Sequence, residues 1–121
     1  MLEVTAHFSP MRLTAYARNE AEMEVSVKNP GEQPLWLEAD VKVPSAISLA
    51  PDRQLEGGRT RLGIALPGES VGKKVKIYAG PQSYPDEYKI MLTIYAYGAD
   101  GAIVSREEWK EHLRCERGGQ E

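Results

Sequence analysis

Residues 35–43 read Leu-Trp-Leu-Glu-Ala-Asp-Val-Lys-Val, and this stretch decides the fold class. Its odd-numbered positions are apolar, and the positions between them hold Trp36 or charged residues. Successive side chains of a β-strand point to opposite faces of the sheet, so this alternation is typical of a strand with one buried face. The stretch therefore predicts a strand whose odd-numbered side chains face the interior, while Trp36 faces away from it.

The same period of two recurs along the rest of the chain. The predicted inward-facing sets lie within residues 2–8, 23–27, 62–66, 75–79 and 88–96. A further strand is expected after Gly101, which brings the count to about seven.

Turn residues separate these predicted strands. Asn29-Pro30-Gly31-Glu32 and Leu66-Pro67-Gly68-Glu69 are typical of type II turns, and Asp100-Gly101 is a hairpin signal. Short alternating strands between such turns predict an all-β protein. The expected architecture is an antiparallel two-sheet sandwich of about seven strands.

The C-terminal segment allows two interpretations. Ser105-Arg106-Glu107-Glu108 matches a capping box, which begins many helices, and Trp109 and Leu113 would then share one helix face. If the segment is a strand instead, acidic residues interrupt its apolar face. We expect a last strand near residues 102–107 that continues as strand, as a short helix or as an extended tail.

Length, charge and cysteine content restrict the class of protein. The 121 residues suffice for one domain, predicted to span residues 1–116, with residues 117–121 as a disordered tail. A net charge of −3 lacks the positive excess of nucleic-acid-binding proteins, so we expect no nucleic-acid partner. The nearly apolar stretch 90–99 is too short to span a membrane. The single thiol, Cys115, favours the cytoplasm, and an extracellular domain without disulfides is the second interpretation.

No motif for catalysis or for cofactor binding is present in the sequence. The segment from Gly68 to Lys74 lacks the spacing of a phosphate-binding loop. His7 and His112 lack the spacing of metal ligands, and Cys115 beside two arginines is interpreted as a structural thiol rather than a reactive one. The sequence predicts a protein that is not an enzyme and that has no cofactor, metal site or catalytic residue.

Three segments carry a family resemblance. Residues 24–31 combine valine alternation with Asn-x-Gly, residues 66–70 contain Leu-Pro-Gly-Glu before a strand, and Tyr88 stands two residues before a core position. These features resemble prokaryotic immunoglobulin-like β-sandwich modules of the kind related to cell-adhesion domains. The resemblance implies that the Tyr88 hydroxyl bonds back to the backbone. It implies little about function, because its motifs are structural turns.

Outward-facing aromatic residues are the functional signal of this sequence. In the immunoglobulin topology residues 35–43 and 88–96 are the neighbouring strands C and F of one sheet. The outer face of that sheet would then carry the candidate interaction residues Trp36, Glu38, Met91, Tyr95, Tyr97 and, from the C-terminal segment, Trp109. A patch of exposed aromatic residues usually marks an interaction surface.

Several occupants of this face are open from the sequence. The C-terminal segment can cover it, a second copy can pack on it to form a homodimer, or a foreign protein or sugar can bind it. We predict a non-catalytic protein–protein interaction or structural module that uses the aromatic face of the sheet formed by strands C, F and G. The alternatives are a carbohydrate-binding or adhesion module and an accessory domain of an enzyme.

Overall fold

A computed structural model describes residues 2–118 of the chain. Nine strands follow one another in this part: β1 (Glu3–Ser9), β2 (Arg12–Thr14), β3 (Asn19–Lys28), β4 (Leu35–Lys42), β5 (Ile47–Ser48), β6 (Gly57–Ala65), β7 (Ser70–Ala79), β8 (Asp86–Tyr97) and β9 (Ile103–Glu116). No helix occurs among the described residues. The predicted tail falls mostly on residues 119–121, which lie outside them.

The strands form two sheets that pack face to face. Sheet A has the order β1-β3-β7-β5, and sheet B has the order β2-β9-β8-β4-β6. The prediction of an all-β, two-sheet sandwich is thus confirmed. One pairing departs from it, because β2 runs parallel to the end of β9. The N-terminal segment crosses from sheet A to sheet B between β1 and β2, and this crossing produces the parallel pair.

The core lies between the sheets, where the alternation of β4 places it. Leu37, Ala39 and Val41 are buried between the sheets. Trp36, on the outer face of sheet B, is 42% exposed. On β8 the apolar residues at even-numbered positions from Tyr88 to Ala96 are buried in the same way. The predicted orientation of β4, on which the proposed surface depends, is therefore confirmed.

Two predicted turn features are confirmed. The Tyr88 hydroxyl donates a hydrogen bond to the Tyr84 carbonyl at 2.6 Å and accepts one from the Tyr84 amide at 3.0 Å. Gly68 has a φ of +82°, and the Glu69 amide bonds to the Leu66 carbonyl at 2.9 Å, as a type II turn requires.

The C-terminal segment is a strand to its end, so the helix alternative is wrong. Residues 103–116 pair with β8 along nearly their whole length, and Leu113 and Cys115 enter the core. The carboxylate of Glu107, which lies within the predicted capping-box segment, faces the inside of the sandwich and accepts a hydrogen bond from the Leu2 amide at 3.0 Å. Tertiary pairing outweighs the local capping signal here.

Candidate functional site

Cross-strand pairing arranges the outer face of sheet B in rows. Trp36 on β4 lies opposite Ile64 of β6 on one side and opposite Tyr97 of β8 on the other, and Tyr97 lies opposite Ile103 of β9. Side chains of directly paired residues lie on the same face. These four residues form the apolar row, and three of them are strongly exposed, with Ile64 at 56%, Trp36 at 42% and Ile103 at 58%.

The next row, about 7 Å along the strands, carries charge. It consists of Arg61, Glu38, Tyr95 and Arg106, one from each of β6, β4, β8 and β9, and we call it the charged row. Arginine side chains lie over the ring of Tyr95 in this row and over the ring of Trp36 in the apolar row. The Arg61 guanidinium lies 5.5 Å from the Trp36 ring centroid, and Arg59 and Arg106 lie 4.2 and 5.9 Å from that of Tyr95. Such cation–π contacts hold the guanidinium groups over the sheet.

Glu38 links the two rows. The Tyr97 hydroxyl donates a hydrogen bond to the Glu38 carboxylate at 3.5 Å, and the Arg59 guanidinium lies 3.8 Å from the same carboxylate oxygen. The Glu38 side chain is only 20% exposed, so its charge is satisfied largely within the protein. Glu38 therefore contacts Tyr97 in the apolar row and Arg59 beside the charged row.

Shallow depressions border the apolar row at the end of the sandwich. One, of about 280 Å³, is lined by Trp36, Tyr97 and the β8–β9 turn. Another of about 280 Å³ lies between Trp36, Ile64 and Pro34. Both depressions border Trp36 and Tyr97.

Two of the predicted surface residues lie elsewhere. Met91 is on the same outer face, but it lies six residues from Tyr97 along β8, about 20 Å away, between Lys42 and Lys110. Trp109 lies opposite the buried Leu92, so its side chain is on the inner side of sheet B and not on the aromatic face. Coverage of that face by the C-terminal segment is also wrong, because β9 joins the edge of the sheet instead of crossing its face.

β-Bulges explain why the alternation did not predict the two ends of the apolar row. The pairing of β8 with β9 shifts register at Tyr97, so Ile103 faces out while Ser105, two residues on, lies opposite the buried Ala96. The pairing of β4 with β6 shifts beside Gly63, which has a φ of +124°. Ile64, predicted to face inward, is exposed as a result, and Ala65 is buried. Both ends of the apolar row are therefore set by bulges, which the sequence alternation did not reveal.

The other candidate residues do not form a chemical site. Cys115 is buried, and burial raises the pKa of its thiol, the opposite of what a reactive cysteine needs. His7 lies opposite Glu24 in sheet A, and His112 lies opposite Lys89 in sheet B. Between residues 2 and 118 no cluster of three or more His, Cys, Asp or Glu side chains has the arrangement of a metal site. That same stretch contains no helix with the length and hydropathy needed to cross a bilayer.

Comparison with known proteins shows a similarity of fold. No protein-family model matches the chain, and no curated protein sequence does. Among solved structures it is similar to a non-cellulosomal cohesin from the hyperthermophilic archaeon Archaeoglobus fulgidus, with a TM-score of 0.53 and 14% identity. The match covers 94% of this chain and 90% of that one. At this identity the match shows the fold, an immunoglobulin-like β-sandwich.

Proposed function

We propose that the protein is a non-catalytic protein–protein interaction module that binds its partner on the apolar row and the charged row. The observation that carries the proposal is a single row of apolar side chains from four adjacent strands, of which Ile64, Trp36 and Ile103 are exposed and Tyr97 is half-buried. Apolar groups aligned in this way on a rigid sheet lose contact with water when a partner covers them, which favours binding.

The surroundings of the row suit a protein partner. The row has apolar pockets beside Trp36 and a polar margin in Glu38, Arg61 and Arg106, the arrangement of a protein interface with an apolar centre and a polar rim. The likeness to a cohesin is consistent with an interaction module. Membership of the prokaryotic immunoglobulin-like modules is part of the same proposal.

Sugar binding is the weaker alternative. Stacking of a sugar on an aromatic residue needs an open ring face, and the guanidinium groups of Arg61 and Arg59 lie over the rings of Trp36 and Tyr95. A protein side chain can pack against the edges of these rings and against Ile64 and Ile103 without displacing the arginines. The geometry therefore favours a protein partner, either a second copy of the chain or a different protein.

Site-specific crosslinking tests the proposal. A photoreactive phenylalanine analogue at position 103 should form adducts with the partner in extracts of the source cells, while the same analogue at position 5, on the outer face of sheet A, should not. The captured protein is then purified and titrated by calorimetry. Trp36→Ser should weaken its binding by about tenfold or more, because large aromatic anchors dominate such interfaces.

Two results would contradict the proposal. One is equal capture at positions 103 and 5, and the other is a dissociation constant unchanged by Trp36→Ser. Sedimentation equilibrium of the purified chain separates the two kinds of partner, since a homodimer has twice the mass of one chain and should dissociate when Trp36 is replaced.

A further inference from the structure

We propose that the partner presents an acidic, apolar protein segment, and that Arg61 receives one of its carboxylates beside the Trp36 ring. This inference rests on the proposed function and specifies the chemistry of the partner. It follows from the ion pairs that the arginines next to the apolar row make, or lack, within the protein.

Three arginines lie on one side of the apolar row, and two of them already have acidic partners. Arg59 lies 3.8 Å from Glu38, and Arg106 donates a hydrogen bond to Glu108 at 2.8 Å. Arg61 makes no ion pair or side-chain hydrogen bond with any residue from 2 to 118, although it lies opposite Glu38 in the sheet. The Glu38 carboxylate is engaged by Arg59 and by the Tyr97 hydroxyl instead.

Arg61 is held in position while its hydrogen-bonding groups are unused. Its guanidinium lies over the Trp36 ring at 5.5 Å, which limits the conformational freedom that the side chain would lose on binding. A guanidinium group has five N–H donors in a fixed planar arrangement, which suits a carboxylate that accepts two of them. A carboxylate bound there would be next to the apolar row, where apolar contacts exclude water and strengthen the pair.

The partner must therefore carry a carboxylate and apolar side chains close to each other. The apolar row spans four strands, about 14 Å, and needs apolar side chains to cover it. A nucleic acid would bring a series of phosphates close to Asp40, a carboxylate on this face that has no basic side chain within 4.0 Å among residues 2–118. A protein segment with a single carboxylate beside its apolar residues avoids that repulsion.

The opposite face of the sandwich disfavours the same segment. Glu20, Glu22 and Glu24 follow one another along the outer face of β3, and only Glu20 and Glu22 have lysines within 4.0 Å. An acidic segment is repelled at Glu24, whose charge has no lysine within 4.0 Å in the described part of the chain, and is attracted to Arg61, so charge favours sheet B.

Selection from a random peptide library displayed on phage tests the inference. Peptides are selected on the intact chain, and those that also bind Trp36→Ser are removed. The remaining peptides should be enriched in Asp or Glu next to apolar residues. Arg61→Glu should weaken their binding by about tenfold or more, since it replaces attraction by repulsion at one contact.

Lys89→Glu is the matched control for net charge. It changes the charge by the same amount on the same outer face, but it lies eight residues from Tyr97 along β8, about 26 Å away. At physiological salt its effect on the same peptides should stay below about twofold, because charges at that distance are screened. A peptide whose acidic residue is replaced by Lys should bind Arg61→Glu better than the original peptide does.

Each result of the selection has a defined meaning. Trp36-dependent peptides that are neutral or basic, or equal effects of Arg61→Glu and Lys89→Glu, overturn the inference about Arg61 and leave the proposed function standing. A selection that yields no Trp36-dependent peptide counts against both.

Discussion

A buried amide, that of Asn29, connects three parts of the sandwich at the end where the apolar row lies. Its side chain donates hydrogen bonds to the Gln33 carbonyl at 2.7 Å and to the Ala65 carbonyl at 3.0 Å, and it accepts one from the Gly31 amide at 3.0 Å. The residue is only 1% exposed. It fixes the β3–β4 connection against the end of β6, beside Ile64.

Asn29→Asp should destabilise the fold at neutral pH. The carboxylate cannot donate to the two carbonyl groups, and its charge would be buried beside their oxygen atoms. We expect the free energy of unfolding, measured by urea denaturation, to fall by about 2–3 kcal/mol. Gln33→Ala is the control, because the Gln33 side chain is exposed and its change should have little effect. Equal stability of Asn29→Asp and the parent would contradict the assigned role.

Asn29 also shows where turn prediction from sequence fails. Pro30-Gly31 predicted a type II turn, which needs a positive φ at glycine, but Gly31 is not among the glycines with positive φ. The Asn29 side chain accepts a hydrogen bond from the Gly31 amide and so closes a local turn through a side chain. This turn competes with the backbone type II turn, and few residue types other than asparagine can form it. Leu66-Pro67-Gly68-Glu69 has no such side chain, and there the prediction is confirmed.

Two buried acids should make stability fall at high pH. Burial raises the pKa of the Cys115 thiol and of the Tyr88 hydroxyl. The folded state then holds these protons more tightly than the unfolded chain, so their contribution is complete below the unfolded pKa values and is lost as pH rises through the raised ones. For Cys115 the decline should begin above about pH 8.5.

Cys115→Ala tests this assignment through the slope of stability against pH. The variant loses packing, but its free energy of unfolding should change less between about pH 8 and pH 9.5 than that of the parent, because one titrating group is gone. Chemical denaturation at several pH values measures the slope. An identical slope in the two proteins would show that Cys115 does not contribute.

Among the strands, β3 and β7 approach each other closely at Gly72. This glycine lies in the segment from Gly68 to Lys74, which lacks the spacing of a phosphate-binding loop. A Cβ atom added at Gly72 would lie 2.5 Å from the Val25 carbonyl oxygen, which belongs to the backbone of β3. At Gly58 in β6, the nearest atom would be the Leu49 side chain at 3.7 Å, an ordinary contact. Gly72 is therefore needed for strand pairing.

Gly72→Ala should consequently destabilise the protein, by about 1–3 kcal/mol, because the clash is with backbone that cannot move independently. Gly58→Ala should be neutral or slightly stabilising. Thermal unfolding of both variants measures the difference. A Gly72→Ala variant as stable as Gly58→Ala would contradict the packing of β3 against β7.

The strands were predictable in proportion to the length of their alternation. β4 and β8 have long alternating patterns, and their buried faces are as predicted. β2 and β5 are only 3 and 2 residues long, too short to show a period. β9 was ambiguous because it is an edge strand along much of its length, where Glu107 and Glu111 can face inward and still reach the solvent at the open side of the sandwich.

For the whole molecule, the candidate surface contributes little to folding. Trp36 projects from a sheet whose core is made by its neighbours in β4. Trp36→Ser should lower the free energy of unfolding by only about 1–2 kcal/mol, because the ring is partly exposed and loses mainly its contact with Arg61. Leu37→Ala, one residue away and fully buried, should lower it by about 2–5 kcal/mol. Denaturant titration distinguishes them, and equal losses would show that Trp36 serves packing instead of binding.

The surface itself was only partly predictable. Trp36, Glu38, Tyr95 and Tyr97 lie together because β4 and β8 are neighbours and keep a regular register. Ile64, Ile103 and Arg61 were missed, since their positions depend on two bulges and on which strands lie beside β4 and β8. Register shifts change the face of every following residue and leave little trace in the sequence.

The course of β9 has a practical consequence for experiments on this protein. The strand begins at Ile103 in the apolar row and runs to Glu116 at the opposite end of sheet B, about 43 Å away. A chemical tether placed after Glu116 would thus attach the molecule to a sensor chip by the end of sheet B opposite the apolar row. Trp36 and Ile103 would then face the solution. A tether attached within the β8–β9 turn would bring the same residues against the solid support.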